Sequence, residues 1–291
     1  MKVFVDPIPN TLSLAMHRVA GALKRYAPPE IRVVQRPEDA DLQVMHVIGL
    51  DSMDPLRAPR YAVIQYCLCT TGISKEWSPI WAEADLVWSY YDLVPHMDGV
   101  ANFYQSPLGG DDAFMQDHPI RVRDIGVVTS GYVTGPGAEA IEEVAIAASL
   151  VGLKTVHLGP IPTGMKQIPR GWKSVHRISD EVLASFYHRS LWVSGLRYVE
   201  GFELPAVEGL LCGARPILFD RKEMWRWYGE HGVFVPELHG TELVKLLVSL
   251  FENGPQEVSD EELAQARKTF NWEQIAEGFW QGVLAGKAVS V

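Results

Sequence analysis

An α/β fold in two similar halves, each built on a mostly parallel sheet, is predicted by three observations. Short apolar runs rich in Val and Ile alternate with helical stretches along the whole chain, as right-handed βαβ units require. The alternation pauses at a polar joint, Asp111–Asp124, and then restarts. The length, 291 residues, is that of two domains of ordinary size.

In the first half, Val3–Val5 reads as a strand reaching Asp6. Asn10-Thr11 then caps a helix over Leu12–Tyr26, whose apolar positions Leu12, Ala15, Met16, Val19 and Leu23 keep the helical period. Ile31–Val34, Asp41–Ile48 and Tyr61–Cys67 read as strands, Trp77–Ala84 as a helix, and Leu86–Ser89 and Phe103–Ser106 as strands. After the joint, Asp124–Thr129 is a buried strand entering the loop Ser130–Gly137, and a long helix covers Ala138–Leu150. Thr155–Leu158 is a strand, and Val175 ends another. Ser179-Asp180-Glu181 starts a helix running to His188. Leu191–Gly195, Pro216–Phe219 and Val233–Val235 are extended. Thr241–Asn253, Asp260–Thr269 and Trp272–Leu284 are helices.

Hydrophobic content of 47% and charged content of 21% give an ordinary globular composition with ample core. No run of 18 apolar residues occurs, so no membrane span is expected, and the first residues lack the long apolar region of a signal peptide. Three cysteines, Cys67, Cys69 and Cys212, fit a reducing cytoplasm better than a disulfide framework. The net charge of −10 is uneven: residues 61–120 hold one basic residue, Lys75, against eight acidic ones. This acidity argues against a nucleic-acid or anionic-membrane partner, although Arg18, Lys24, Arg25, Arg32 and Arg36 leave room for a local basic patch.

The chemistry concentrates in Tyr198-Val199-Glu200-Gly201-Phe202-Glu203-Leu204-Pro205-Ala206-Val207-Glu208 and the residues that follow, to Gly213. Pro205 is placed to open a helix and Gly213 to end it in a left-handed residue. A turn feeding a helix N-terminus presents backbone N–H groups and a positive dipole end, a ready site for phosphate. Glu200 stands just before that end and Glu208 about one turn in, so both carboxylates can reach hydroxyls of a ligand whose phosphates the helix holds. Two α/β halves leave a cleft at the carboxyl ends of their strands, where open α/β sheets bind ligands.

This stretch resembles the E-x7-E motif of retaining glycosyltransferases of the GT-B fold, family-four type. Four other segments resemble family motifs in the right order: Ala84-Asp85-Leu86-Val87-Trp88-Ser89, Ser106–Phe114, Ile178–Tyr187 and Asn271-Trp272-Glu273. The resemblance implies two Rossmann-like domains facing a central cleft. Residues 1–117 would form the acceptor-side domain, 118–270 the nucleotide-sugar domain, and 271–291 a C-terminal helix packing back toward the first. It implies transfer of a sugar from a nucleotide-diphosphate donor to a hydroxyl acceptor, with configuration retained and no metal or other cofactor. Glu208 would bind the ribose hydroxyls and Glu200 the transferred sugar. The N–H groups of Gly201, Phe202, Glu203 and Leu204 would hold the sugar and diphosphate. Arg177 and Ile178 would lie against the base, and Ser130 and Gly131 would complete the donor site. Asn10, Thr11, His46 and Tyr66 are the acceptor-side candidates. A saccharide is the default acceptor, with a small metabolite or a modified nucleic-acid base, as in phage enzymes, behind it.

The sequence also departs from the family pattern. The Arg and Lys usual in the first loop of the second domain are missing: none occurs between Arg123 and Lys154. Arg197, Lys166 and Arg170 are the candidates to swing in. Asn10-Thr11 replaces a usual Gly-Gly, Tyr66-Cys67 a usual His, and Glu203 a usual Gly. These departures motivate a rival reading, a nucleotide-sugar-binding protein without turnover; for a sugar-nucleotide epimerase nothing specific speaks. Asp39-Ala40-Asp41 mimics a metal-binding D-x-D but precedes a strand, so it reads as a solvated turn. His46, in an apolar strand, has the ordinary reading of a satisfied core histidine. The nine histidines show no paired metal-ligand spacing, so no metal site is expected. Trp225-Arg226-Trp227-Tyr228 has helical spacing, with half of it read as core and half as a stacking surface.

Overall fold

The computed structural model describes residues 1–7, 14–47, 56–66, 77–97, 102–117, 122–131, 139–160, 165, 169–175, 177–198 and 201–286. The chain divides into two compact units: Met1–Gly109 together with Phe270–Val291, and Gly110–Thr269.

The first unit carries β1 (Lys2–Val5), α1 (Leu14–Arg25), β2 (Arg32–Val33), β3 (Leu42–Val47), β4 (Tyr61–Gln65), α2 (Trp77–Glu83), β5 (Leu86–Ser89) and β6 (Phe103–Gln105). The strands form one parallel sheet in the order β2-β1-β3-β4-β5-β6. Every residue of β3, β4 and β5 is buried, as expected for parallel strands covered on both faces. The chain leaves β1 for β2 on one side and reaches β3 on the other, so the strand order reverses between β1 and β3.

The second unit opens with α3 (Asp112–Met115), then β7 (Ile125–Ser130), α4 (Ile141–Leu150), β8 (Thr155–Leu158), β9 (Trp172–Val175), α5 (Asp180–His188), β10 (Ser190–Gly195) and α6 (Leu204–Leu211). β11 (Arg215–Phe219), α7 (Lys222–Tyr228), β12 (Val233–Val235), α8 (Gly240–Asn253) and α9 (Asp260–Thr269) complete it. Its parallel sheet runs β12-β11-β10-β7-β8-β9, so the order reverses between β7 and β10. Val127, Val144, Trp192, Ile217, Leu243 and Phe251 form the core under α4 and α8. Two details differ from the expected elements. The polar joint holds the short helix α3, because Phe114 is fully buried and packs edge-on against Tyr187 of α5. The helix predicted from Ala138 begins at Ile141, because Glu139 is bridged to Arg197 instead.

The last helix, α10 (Trp272–Ala285), returns to the first unit. Asn271 caps it by accepting the Gln274 N–H at 3.1 Å. It buries Trp272, Ile275, Phe279, Trp280 and Val283, and the Trp280 indole N–H donates to Leu23 O at 3.1 Å. No helix among the described residues is long and apolar enough to cross a membrane.

Candidate functional site

The carboxyl ends of β7 and β10, where the strand order reverses, are where a ligand is expected in the second unit. A buried ion cluster stands there. Arg197, two residues past β10, donates through Nε to Glu139 Oε1 at 2.8 Å and through Nη1 to Glu203 Oε2 at 2.7 Å. Its Nη2 donates to Ser130 O at 3.1 Å and Ser130 Oγ at 2.9 Å. Arg197 is 3% exposed and Glu203 0%. One cation thus faces two carboxylates in low-dielectric surroundings, an arrangement tolerable only because hydrogen bonds replace the lost water. Gly195 makes the room: a Cβ there would lie 2.7 Å from Leu218 Cδ2 and 3.1 Å from Glu203 Cγ. Arg197 is therefore no loose surface cation. It is bonded to Ser130, the first residue of the loop in which no Arg or Lys was found, and Lys166 lies outside the described residues while Arg170 is exposed.

Glu203 is also the N-cap residue of α6. Its N–H donates to Tyr228 Oη at 3.3 Å, and the Tyr228 hydroxyl donates back to Glu203 O at 2.7 Å. Two N–H groups of this region are engaged within the chain. The Glu203 N–H is taken, and the Gly131 N–H donates to Leu158 O at 3.1 Å, so Gly131 offers close approach and no donor. No described residue accepts the N–H of Gly201 or Leu204. Phe202 and Leu204 are buried. Pro205 falls at the second helical position, not the first, and Gly213 is left-handed at φ 82°, as predicted.

Glu208 lies one turn into α6 and is 4% exposed. The Tyr187 hydroxyl, from the inner face of α5, donates to its Oε2 at 3.2 Å. Arg177 follows β9 with a backbone φ of 51°, in the left-handed region that costs a non-glycine residue about 1 kcal/mol. Its side chain is exposed, and Ile178 beside it is half-buried. Glu200 lies outside the described residues. Tyr198 anchors the stretch before it: its hydroxyl donates to Leu238 O at 2.8 Å, its ring stacks on His239 at 4.2 Å, and its carbonyl accepts from Arg221 Nη2 at 2.7 Å. Burial, then Glu143 and Glu237, push its phenol pKa up. In α7, Met224 and Tyr228 are core, while Trp225 is 49% exposed, stacked on Phe234 and held by Asp220.

In the first unit the strand order reverses between β1 and β3. Asp6, just past β1, is buried and accepts from Gln43 Nε2 at 2.9 Å. His46, near the end of β3, is 6% exposed; its Nδ1 is 2.8 Å from the Tyr66 hydroxyl, and their rings stack. Its Nε2 is buried with no hydrogen-bond partner among the described residues. Burial, with smaller contributions from Lys24 and His17, pushes its pKa down to about 3, so the ring is neutral. Burial alone raises Tyr66 well above the usual phenol range. Asn10 and Thr11 lie outside the described residues. Asp39 pairs with Arg36 and Asp41 accepts the Lys2 N–H, so the D-x-D look-alike is a turn with separate partners.

No protein-family profile matches the chain, and no curated protein matches it in sequence. Solved structures do. AviGT4, a glycosyltransferase involved in avilamycin A biosynthesis, is similar at a TM-score of 0.65 and 14% identity, over 97% of this chain and 96% of that one. Sucrose-phosphate synthase from Thermosynechococcus elongatus is similar at 0.68 and 13%, over 96% and 97%. HepE from Anabaena, in complex with UDP-glucose, is similar at 0.65 and 11%, over 98% and 99%. The fold is that of the GT-B glycosyltransferases. Glu139 and Tyr187, which hold Arg197 and Glu208, were given no role when the sequence was read, whereas Tyr228 stood in a stretch read as half core and half stacking surface. Arg197 and Glu203 left a trace in the sequence, the first as a candidate to swing in and the second as a departure from a usual Gly. Glu139 left none, because its partner is 58 residues away.

Proposed function

We propose that the protein is a glycosyltransferase that moves a sugar from a nucleoside-diphosphate donor to a hydroxyl acceptor, with retention of configuration and without a metal. One observation carries this reading: buried Glu208 and the N-terminal turn of α6 follow β10, beside the strand-order reversal, and exposed Arg177 follows β9 at the edge of the same parallel sheet. A buried carboxylate one turn inside a helix start suits paired ribose hydroxyls, and the helix start suits the adjoining phosphates. In this reading Glu208 binds the ribose, Arg177 and Ile178 flank the base, and Ser130, Gly131, Gly201, Phe202 and Leu204 enclose the diphosphate. Glu200 orients the sugar. The leaving diphosphate takes the acceptor proton on the face it departs from, and fixed dipoles stabilise its growing charge. A saccharide is the first acceptor to test, before small metabolites and modified nucleic-acid bases. The UDP-glucose held by HepE makes UDP the first nucleotide to try.

The test is calorimetric titration with a panel of nucleoside diphosphates. One of them is expected to bind, and Glu208→Ala is expected to weaken it by ~10-fold or more, the loss of one or two charge-assisted hydrogen bonds. No binding across the panel would sink the reading. Release of free sugar from the matching donor is expected to persist in EDTA and to be lost in Glu200→Ala; equal release by both proteins would remove Glu200 from its role. Binding without turnover is the second reading, favoured by the excess carboxylate around Arg197. A folded wild type that binds donor and never releases sugar selects it.

A further inference from the structure

Arg197 brings a guanidinium to the place where this sheet is built to take a ligand, yet groups of the chain itself fill its edges. Four hydrogen bonds reach Glu139, Glu203 and both oxygens of Ser130. A guanidinium fork suits a carboxylate and a phosphate alike, because both offer oxygens at the same spacing. The two carboxylates are not held equally. Glu139 is tied to Arg197 through the backbone as well, by an antiparallel bridge, and it takes the Nε side. Glu203 holds the Nη1 edge through its side chain, from the N-cap position of α6. The Glu203 side chain makes no capping bond to α6: Pro205 offers no N–H, and the N–H groups of Ala206 and Val207 donate to Glu203 O at 3.0 and 3.2 Å. A phosphate oxygen can take the place of the Glu203 oxygen at the Nη1 edge, so the guanidinium keeps an anionic partner there.

We propose that Glu203 is an internal competitor for the donor phosphate: its carboxylate occupies Arg197 in the free protein and yields that edge to a nucleoside diphosphate. Arg197 is then the counter-charge of the diphosphate, and Glu203 sets how tightly a donor binds. This inference rests on the donor reading above. It gives one pair of residues a common role: Arg197, a candidate to replace the missing loop cations, and Glu203, a glutamate where a glycine is usual.

The test is titration of the full chain with UDP, and with the other nucleoside diphosphates if UDP does not bind, alongside thermal melting of each variant. Glu203→Gln is expected to tighten binding by ~10-fold. Arg197→Gln is expected to weaken it, and Arg197→Gln combined with Glu203→Gln is expected to bind no better than Arg197→Gln alone. Should Glu203→Gln lose its cooperative melt, Glu203→Asp, which retracts the carboxylate by one methylene, must shift affinity in the same direction. A folded Glu203 variant that binds equally or more weakly overturns the proposal and makes the pair a structural brace. If the wild type binds and Glu208→Ala weakens binding while Glu203→Gln does nothing, this inference falls and the donor reading stands. If no protein of the set binds any nucleoside diphosphate, both fall.

Discussion

His46 shows how one strand position couples burial to acid stability. Its neutral ring is enforced first by desolvation, and Lys24 and His17 add to it. The folded pKa, about 3, lies below the ordinary value of 6.5. Between those values the unfolded chain binds a proton that the native state refuses. The contribution of His46 is therefore full above pH 6.5 and is lost as the pH falls toward about 3, at up to ~1.4 kcal/mol per pH unit. His46→Leu is expected to flatten the fall in unfolding free energy between pH 6.5 and 4, measured by urea titration at several pH values. An unchanged slope would place the acid sensitivity elsewhere. Reading the sequence put His46 in a buried strand; that its Nε2 has no hydrogen-bond partner among the described residues is visible only once β4 brings Tyr66 to the other nitrogen.

At the scale of elements, α6 decides how the second unit meets its ligand. All eight of its residues are buried, and it lies on β10 with no space to spare. A Cβ at Gly209 would stand 2.5 Å from Val193 Cγ1 and 2.7 Å from Val193 Cβ. Gly209→Ala is therefore expected to destabilise the protein by ~1–3 kcal/mol through overpacking, although alanine is the better helix former. Chemical denaturation checks the sign: a stabilised variant would mean that helix propensity outweighs the clash. The limits of most elements were legible because local rules set them. Ser179 caps α5 by accepting the Val182 N–H, as its position before Asp180-Glu181 predicts. The strand read over Asp41–Ile48 is β3, Leu42–Val47, and the helix read over Asp260–Thr269 is α9. The start of α4 and the existence of α3 were not legible, since each depends on a contact with a distant residue, Arg197 and Tyr187 respectively.

For the molecule as a whole, the chain enters the first unit twice, and α10 supplies much of what that unit needs. Phe279 packs on Trp88, Trp280 reaches Leu23, and Asn102 donates to Gly282 O at 2.9 Å. Gly278 lets the helix approach Tyr104, whose hydroxyl oxygen would stand 2.5 Å from a Cβ there. Burying Trp272, Ile275, Phe279, Trp280 and Val283 stabilises by several kcal/mol on any area scale. Truncation after Thr269 is expected to abolish cooperative folding of residues 1–109. Loss of hydrogen-exchange protection confined to β1–β6 is the readout, and full protection without α10 would refute the dependence.

The sequence by itself determined the α/β alternation, its restart after residue 124, the placing of most strands and helices, and the local stretch that carries Glu208. These follow from period, capping and turn residues, which act over a few positions along the chain. Only the tertiary structure decided which polar groups of that stretch remain for a ligand. Arg197 is held by Glu139, 58 residues away, and by Ser130, 67 away, and Glu208 by Tyr187, 21 away. Arg197 meets its partners because β7 and β10 are neighbours in the sheet while α4, β8, β9 and α5 separate them in the chain, and Glu208 meets Tyr187 because α5 and α6, on either side of β10 in the chain, pack together. Strand order sets who is adjacent at the switch point, and strand order is a property of the packed sheet.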